Sequence, residues 1–78
     1  MLSYEECKKI ALEYAEYHNV VLDKAYSLGN GFIFDDSKNE YEGPFPVVVD
    51  AITGDIYGLW RYLNEKNLYL DNMKEHEF

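Results

Sequence analysis

The sequence predicts an α+β domain: an N-terminal helix packed on a four-stranded antiparallel meander sheet, followed by a short C-terminal helix. Two observations predict this class. A capped amphipathic stretch opens the chain, and several β-rich runs follow it, joined by short turns rather than by helices. At 78 residues the chain is one small domain, residues 1–78. A chain of this size has a thin core. Eight Tyr, four Phe and one Trp thicken it, because each large ring removes roughly 150–250 Å² from water.

The helix comes first. In Ser3-Tyr4-Glu5-Glu6, Ser3 stands at the N-cap and Glu6 three residues later, the spacing of a capping box, with Leu2 and Cys7 placed as a hydrophobic staple. Glu5 and Glu6 suit the positive end of the helix dipole. Cys7, Ile10, Ala11, Tyr14, Ala15 and His18 follow the i, i+3, i+4, i+7 spacing of a buried stripe. Glu5, Lys8, Lys9, Glu13 and Glu16 take the other face, and Asn19 is the stop.

The first strand is expected over Val20 to Leu28, a Gly29-Asn30-Gly31 turn follows, and Phe32 to Asp35 form the second strand. Asp36 to Pro44 is polar, ends in Gly-Pro and reads as a loop. The third strand is Phe45 to Ala51. Its Val47-Val48-Val49 run has no polar alternation, so burial on both faces is expected, with Pro46 at the strand start. Ile52-Thr53-Gly54 turns the chain into a fourth strand, Asp55 to Tyr62, in which Gly58 marks a bulge or a close neighbour. Leu63 to Phe78 carries the short terminal helix, and His76 falls in a frayed tail.

The chemistry is thin. Asp50 and Asp55 flank the Thr53-Gly54 corner, where an aspartate accepts hydrogen bonds from turn N–H groups. A catalytic carboxyl pair needs a cleft, and no residue pattern builds one. Asp35, Ser37 and Asn39 alternate like calcium ligands, yet Glu40 stands where such a loop needs glycine and Pro46 where it needs glutamate. Cys7 lies on the inward stripe and is read as a small hydrophobe. His18 is read as a cap or packing residue, and neither histidine has ligands at metal spacing. The glycines follow no phosphate-loop pattern. No catalytic residue, metal or cofactor is assigned.

Fifteen acidic residues against seven basic ones leave a net charge of −8. That field repels phosphate backbones and anionic membranes and attracts basic proteins. With a single cysteine, no basic-apolar leader and no apolar run near the ~18 residues of a membrane span, a cytoplasmic location is expected. Charge beside rings makes Asp35, Asp36, Glu40, Tyr41, Glu42 and Phe45 the candidate partner-binding surface, with Trp60 next.

The helix EECKKIALEYA and the later run GPFPVVVDAITGDIYGL resemble the small YrhB-like bacterial immunity domain and, more loosely, the PepSY-type domain. The resemblance covers about residues 3 to 63 and is carried by Pro46, Val47, Val49, Asp50, Thr53, Gly54 and Ile56. It implies a helix on an antiparallel sheet and a non-enzymatic protein that neutralises a cognate toxin or effector by occlusion. The motif is structural and transfers no binding residues. The short Asp36–Pro44 stretch and the tail after Asn64 depart from the pattern. The alternative is a self-associating module, a homodimer through a sheet edge or the C-terminal segment.

Overall fold

The computed structural model describes residues 1–38 and 45–78. Helix α1 spans Tyr4–Tyr17 and its cap is reciprocal: Glu6 N–H donates to Ser3 Oγ at 3.2 Å, and Ser3 N–H donates to Glu6 Oε1 at 3.0 Å. His18 is the C-cap. Asn19 then turns left-handed at φ 58°, and Val20 N–H reaches back to the Ala15 carbonyl at 2.9 Å, closing a Schellman motif.

Four strands follow in meander order: β1 Lys24–Leu28, β2 Gly31–Asp35, β3 Val47–Asp50 and β4 Ile56–Gly58. All pair antiparallel. β1 is shorter than the expected Val20–Leu28: Val20 is still occupied in closing the helix, and ladder pairing begins at Lys24 opposite Asp35. Pro46 precedes β3 and carries a cis peptide bond to Phe45.

The chain departs from expectation after Gly58. The fourth strand stops there, and Leu59–Lys66 form a second helix, α2. Leu59, Tyr62 and Leu63 are its buried residues, at i, i+3 and i+4, while Arg61 pairs with Glu65 one turn on. Asn67, left-handed at φ 55°, ends it. The expected terminal helix over Leu63–Phe78 is replaced by a 3₁₀ turn, Leu70–Asn72, and a fifth strand, β5, Lys74–His76. β5 pairs antiparallel with β1, so the sheet order is β4-β3-β2-β1-β5.

The α+β class and the antiparallel sheet therefore stand, with five strands rather than four and a helix on each sheet face. Alternation along the strands divides the core. Ala25, Phe34, Val47, Val49 and Ala51 join Cys7, Ala11 and Ala15 under α1. Leu28, Ile33 and Val48 join Leu59, Tyr62 and Leu63 under α2. Val47, Val48 and Val49 are each no more than 1% exposed, which is why the run shows no polar alternation. Each such side chain contributes about 1.5–3 kcal/mol by leaving water.

Candidate interaction surface

The Thr53-Gly54 corner is a structural device. Asp50 is 2% exposed, and its Oδ1 accepts from Ile52 N–H at 2.7 Å and Thr53 N–H at 3.4 Å. Its carbonyl accepts from Gly54 N–H at 2.7 Å. Its other carboxylate oxygen lies 3.6 Å from Lys66 Nζ on α2, and Asp55 is exposed. The two carboxylates do not converge. Gly54 has φ 79°, a conformation that favours glycine.

The remaining chemically interesting side chains are occupied structurally. Cys7 is fully buried, and burial, then the Glu6 and Asp50 charges, push its thiol upward, away from the reactive thiolate. His76 is not in a frayed tail: it sits in β5 with its ring stacked on Tyr4, centroids 3.9 Å apart. Among the described residues no group of three His, Cys, Asp or Glu is arranged to hold a metal ion. No helix among them is long and apolar enough to cross a membrane.

The candidate binding residues separate into distinct groups. Glu40, Tyr41 and Glu42 lie outside the described residues. Phe45 is not a surface ring. It is 7% exposed and belongs to the α1 core, its ring 5.8 Å from that of Tyr14. Phe45 stands two residues before Val47 and joins the same core cluster as Val47 and Val49.

Asp35 and Asp36 organise the chain leaving β2. Asp35 Oδ1 accepts from Asp36 N–H at 2.8 Å, and Asp36 Oδ1 accepts from Lys38 N–H at 2.8 Å. Asp23 faces them from before β1, accepting from Ser37 N–H at 2.8 Å and from the Ser37 hydroxyl. Those bonds, the hydroxyl's first, hold the Asp23 carboxyl below its ordinary range, whereas partial burial raises that of Asp35.

Trp60 is 69% exposed in the first turn of α2. The strand registers place it at the same end of the sheet as Asp35. Phe34 faces Val47, Val47 faces Gly58, and Leu59 N–H donates to the Pro46 carbonyl at 3.3 Å. Trp60 also lines a groove of about 360 Å³ along α2 with Asn64, Asn67 and Tyr69. Tyr69 is 75% exposed. Comparison with family models, curated proteins and solved structures finds no match. The surface must therefore be read on its own chemistry.

Tyr69 was not among the residues singled out from the sequence. Its pairing with Trp60 depends on α2, which carries Trp60 along one side of the groove and returns the chain at Asn67. The available signal was the i, i+3, i+4 spacing of Leu59, Tyr62 and Leu63 between Gly58 and Asn67. That spacing predicts a helix with Trp60, Asn64 and Asn67 on its outer side.

Proposed function

We propose that this chain is a non-enzymatic binding protein of the immunity or inhibitor type. It would act in the cytoplasm by covering the working surface of a basic toxin or effector. The observation that carries the reading is the pair of exposed rings, Trp60 and Tyr69, facing one groove on a chain of net charge −8. Aromatic rings bury large areas at low entropic cost and are enriched among binding hot spots; Trp60 stands on α2 and Tyr69 just before the 3₁₀ turn. Acidic side chains at the same end of the sheet as Trp60, from Asp35 and Asp36, supply the long-range attraction. The resemblance of the helix and the Val-Asp-x-x-Thr-Gly-x-Ile hairpin to the YrhB-like immunity domain points the same way. The corner residues that carry it are occupied within the hairpin, which suits a scaffold role rather than a catalytic one.

The test is affinity capture from the native cell with the tagged chain, followed by calorimetry of each retained partner against the wild type and a Trp60→Ala/Tyr69→Ala variant. Loss of both rings weakens a true partner by roughly 2 kcal/mol or more, about thirty-fold. Asp36→Lys slows its association, most at low salt. A retained partner that binds wild type and double variant equally removes this surface from consideration.

A further inference from the structure

We infer that this chain pairs with a second copy of itself through the outer edge of β4. The inference does not rest on the binding role proposed above. It rests on three features of Asp55–Leu59.

The first is the state of the two sheet edges. β5 presents Lys74 and Glu75, both exposed, and charged side chains on an edge discourage strand addition. β4 is Ile56-Tyr57-Gly58, with no charge in the strand, and among the described residues no strand pairs with its outer side. The ladder shows which backbone groups are available there. Asp50 N–H donates to the Asp55 carbonyl at 2.9 Å, and Leu59 N–H donates to the Pro46 carbonyl. Asp55 and Leu59 therefore turn their backbones toward β3, and so does Tyr57 between them. Ile56 and Gly58 turn theirs outward.

The second is Gly58. Its φ of −66° and ψ of 148° are open to any residue. Among the described residues, a Cβ placed there would meet nothing within 4 Å. Neither backbone conformation nor crowding among the described residues requires glycine at this position. Glycine in an edge strand leaves room for another backbone to approach closely.

The third is self-complementarity. Antiparallel pairing about a two-fold axis at Tyr57 sets Gly58 N–H opposite the second copy's Ile56 carbonyl, and the reverse. One position further along, the same register sets Asp55 opposite the second copy's Leu59, the first residue of α2. Among the described residues the N-terminus of α2 has no side-chain cap, its first turn holds no acidic residue, and Arg61 lies within that turn. The Leu59 N–H is held by the Pro46 carbonyl, so a carboxylate delivered there meets the first-turn N–H groups that follow it and the positive end of the helix dipole. Each copy thus supplies the cap that the other lacks. A generic extended peptide would bring no such carboxylate.

Two copies of charge −8 also repel, so the dimer tightens as salt rises, whereas binding to a basic partner weakens. Sedimentation equilibrium of the whole chain tests this between roughly 10 µM and 1 mM, at low salt and at about 0.5 M sodium chloride. The wild type should reach dimer, more readily in high salt. Gly58→Pro is compatible with the observed φ and removes the outward N–H, and it should weaken the dimer at least ~10-fold with unchanged circular dichroism. Gly58→Lys, which the open space accommodates, should do the same if the proline variant folds poorly. Amide shifts on dilution should concentrate at Asp55–Arg61. A wild type that stays monomeric across that range overturns the proposal. So does a dimer indifferent to both Gly58 variants, or an edge that accepts an added basic peptide while the chain remains monomeric.

Discussion

Lys8 on α1 donates from its ammonium to the backbone oxygen of Phe78 at 2.5 Å, and the same nitrogen stands 4.2 Å from the centre of the Phe78 ring. Tyr4, one turn earlier, stacks on His76 and donates to the same Phe78 oxygen at 3.3 Å. The first helix therefore clamps the last strand against β1. Lys8→Met should speed hydrogen exchange in β5 and along its border with β1 while leaving the β2–β3 ladder protected. The cost should be about 1 kcal/mol, from a charge-assisted bond and a half-exposed cation–π contact. Uniform acceleration across the sheet would mean that β5 does not open as a separate unit.

Asp50 should tolerate asparagine and not alanine. Asparagine keeps the oxygen that accepts from Ile52 and Thr53 and loses the attraction to Lys66. Urea unfolding should show a loss of about 1 kcal/mol or less for Asp50→Asn and about 2–3 kcal/mol for Asp50→Ala, which leaves turn N–H groups unpaired beside a small cavity. Equal losses would place the stabilisation in the Lys66 contact instead.

Phe45 and Trp60, two rings drawn into one candidate surface by the sequence, should behave oppositely. Phe45→Ala opens the core under Tyr14 and should cost about 3 kcal/mol or more. Trp60→Ala removes a largely solvated ring and should change stability by about 0.5 kcal/mol or less. Thermal or urea melts of the two variants decide it. A large loss for Trp60→Ala would show that its ring supports the fold.

Acid should act through particular carboxylates. Ser3's backbone bond, then its hydroxyl bond, lowers Glu6 from its ordinary 4.5, and Ser37 lowers Asp23 from 3.8. Both favour the folded state above those ordinary values and lose that contribution as pH falls through their depressed folded values. Asp35 is raised, chiefly by burial. Its contribution is present below 3.8 and disappears as pH rises through its raised value. Stability should fall as pH drops below about 4, less steeply in Asp23→Asn. Asp35→Asn should gain slightly at neutral pH, well under 1 kcal/mol given its exposure to screening solvent. A neutral-pH loss in Asp35→Asn would contradict the burial account.

Gly31 should resist any side chain. A Cβ there would lie 2.9 Å from the Val49 carbonyl oxygen and 3.0 Å from the Tyr62 hydroxyl. Gly31→Ala must push the β2–β3 ladder or the buried ring aside and should cost about 1–3 kcal/mol, measured by chemical unfolding. A neutral effect would show that the sheet and α2 shift together without strain.

The Ser3–Glu6 box, the Asn19 stop, the doubly buried valines and the Asp50 corner were legible because each depends on residues within a few positions of one another. The passage from β4 to α2 was missed because Ile56 to Leu63 is apolar enough to suit either element. The decision rests on the second sheet face, which Leu59, Tyr62 and Leu63 can cover only as a helix. The candidate surface was legible only in part. Charge and ring content mark Asp35, Asp36 and Trp60, while Phe45 went inward and Tyr69 came to Trp60 through the turn after α2.

Residues close in the chain were enough to decide the first helix, the hairpin corners, the antiparallel class and the acidic field, because caps, turns and periodicity are short-range properties. Tertiary packing alone decided that Lys74–His76 become a strand, that a helix covers each face and that Trp60 and Tyr69 share a groove. Those outcomes depend on which apolar surface remains to be buried once the sheet exists, and on partners such as Lys8 and Phe78 that meet only across the folded chain.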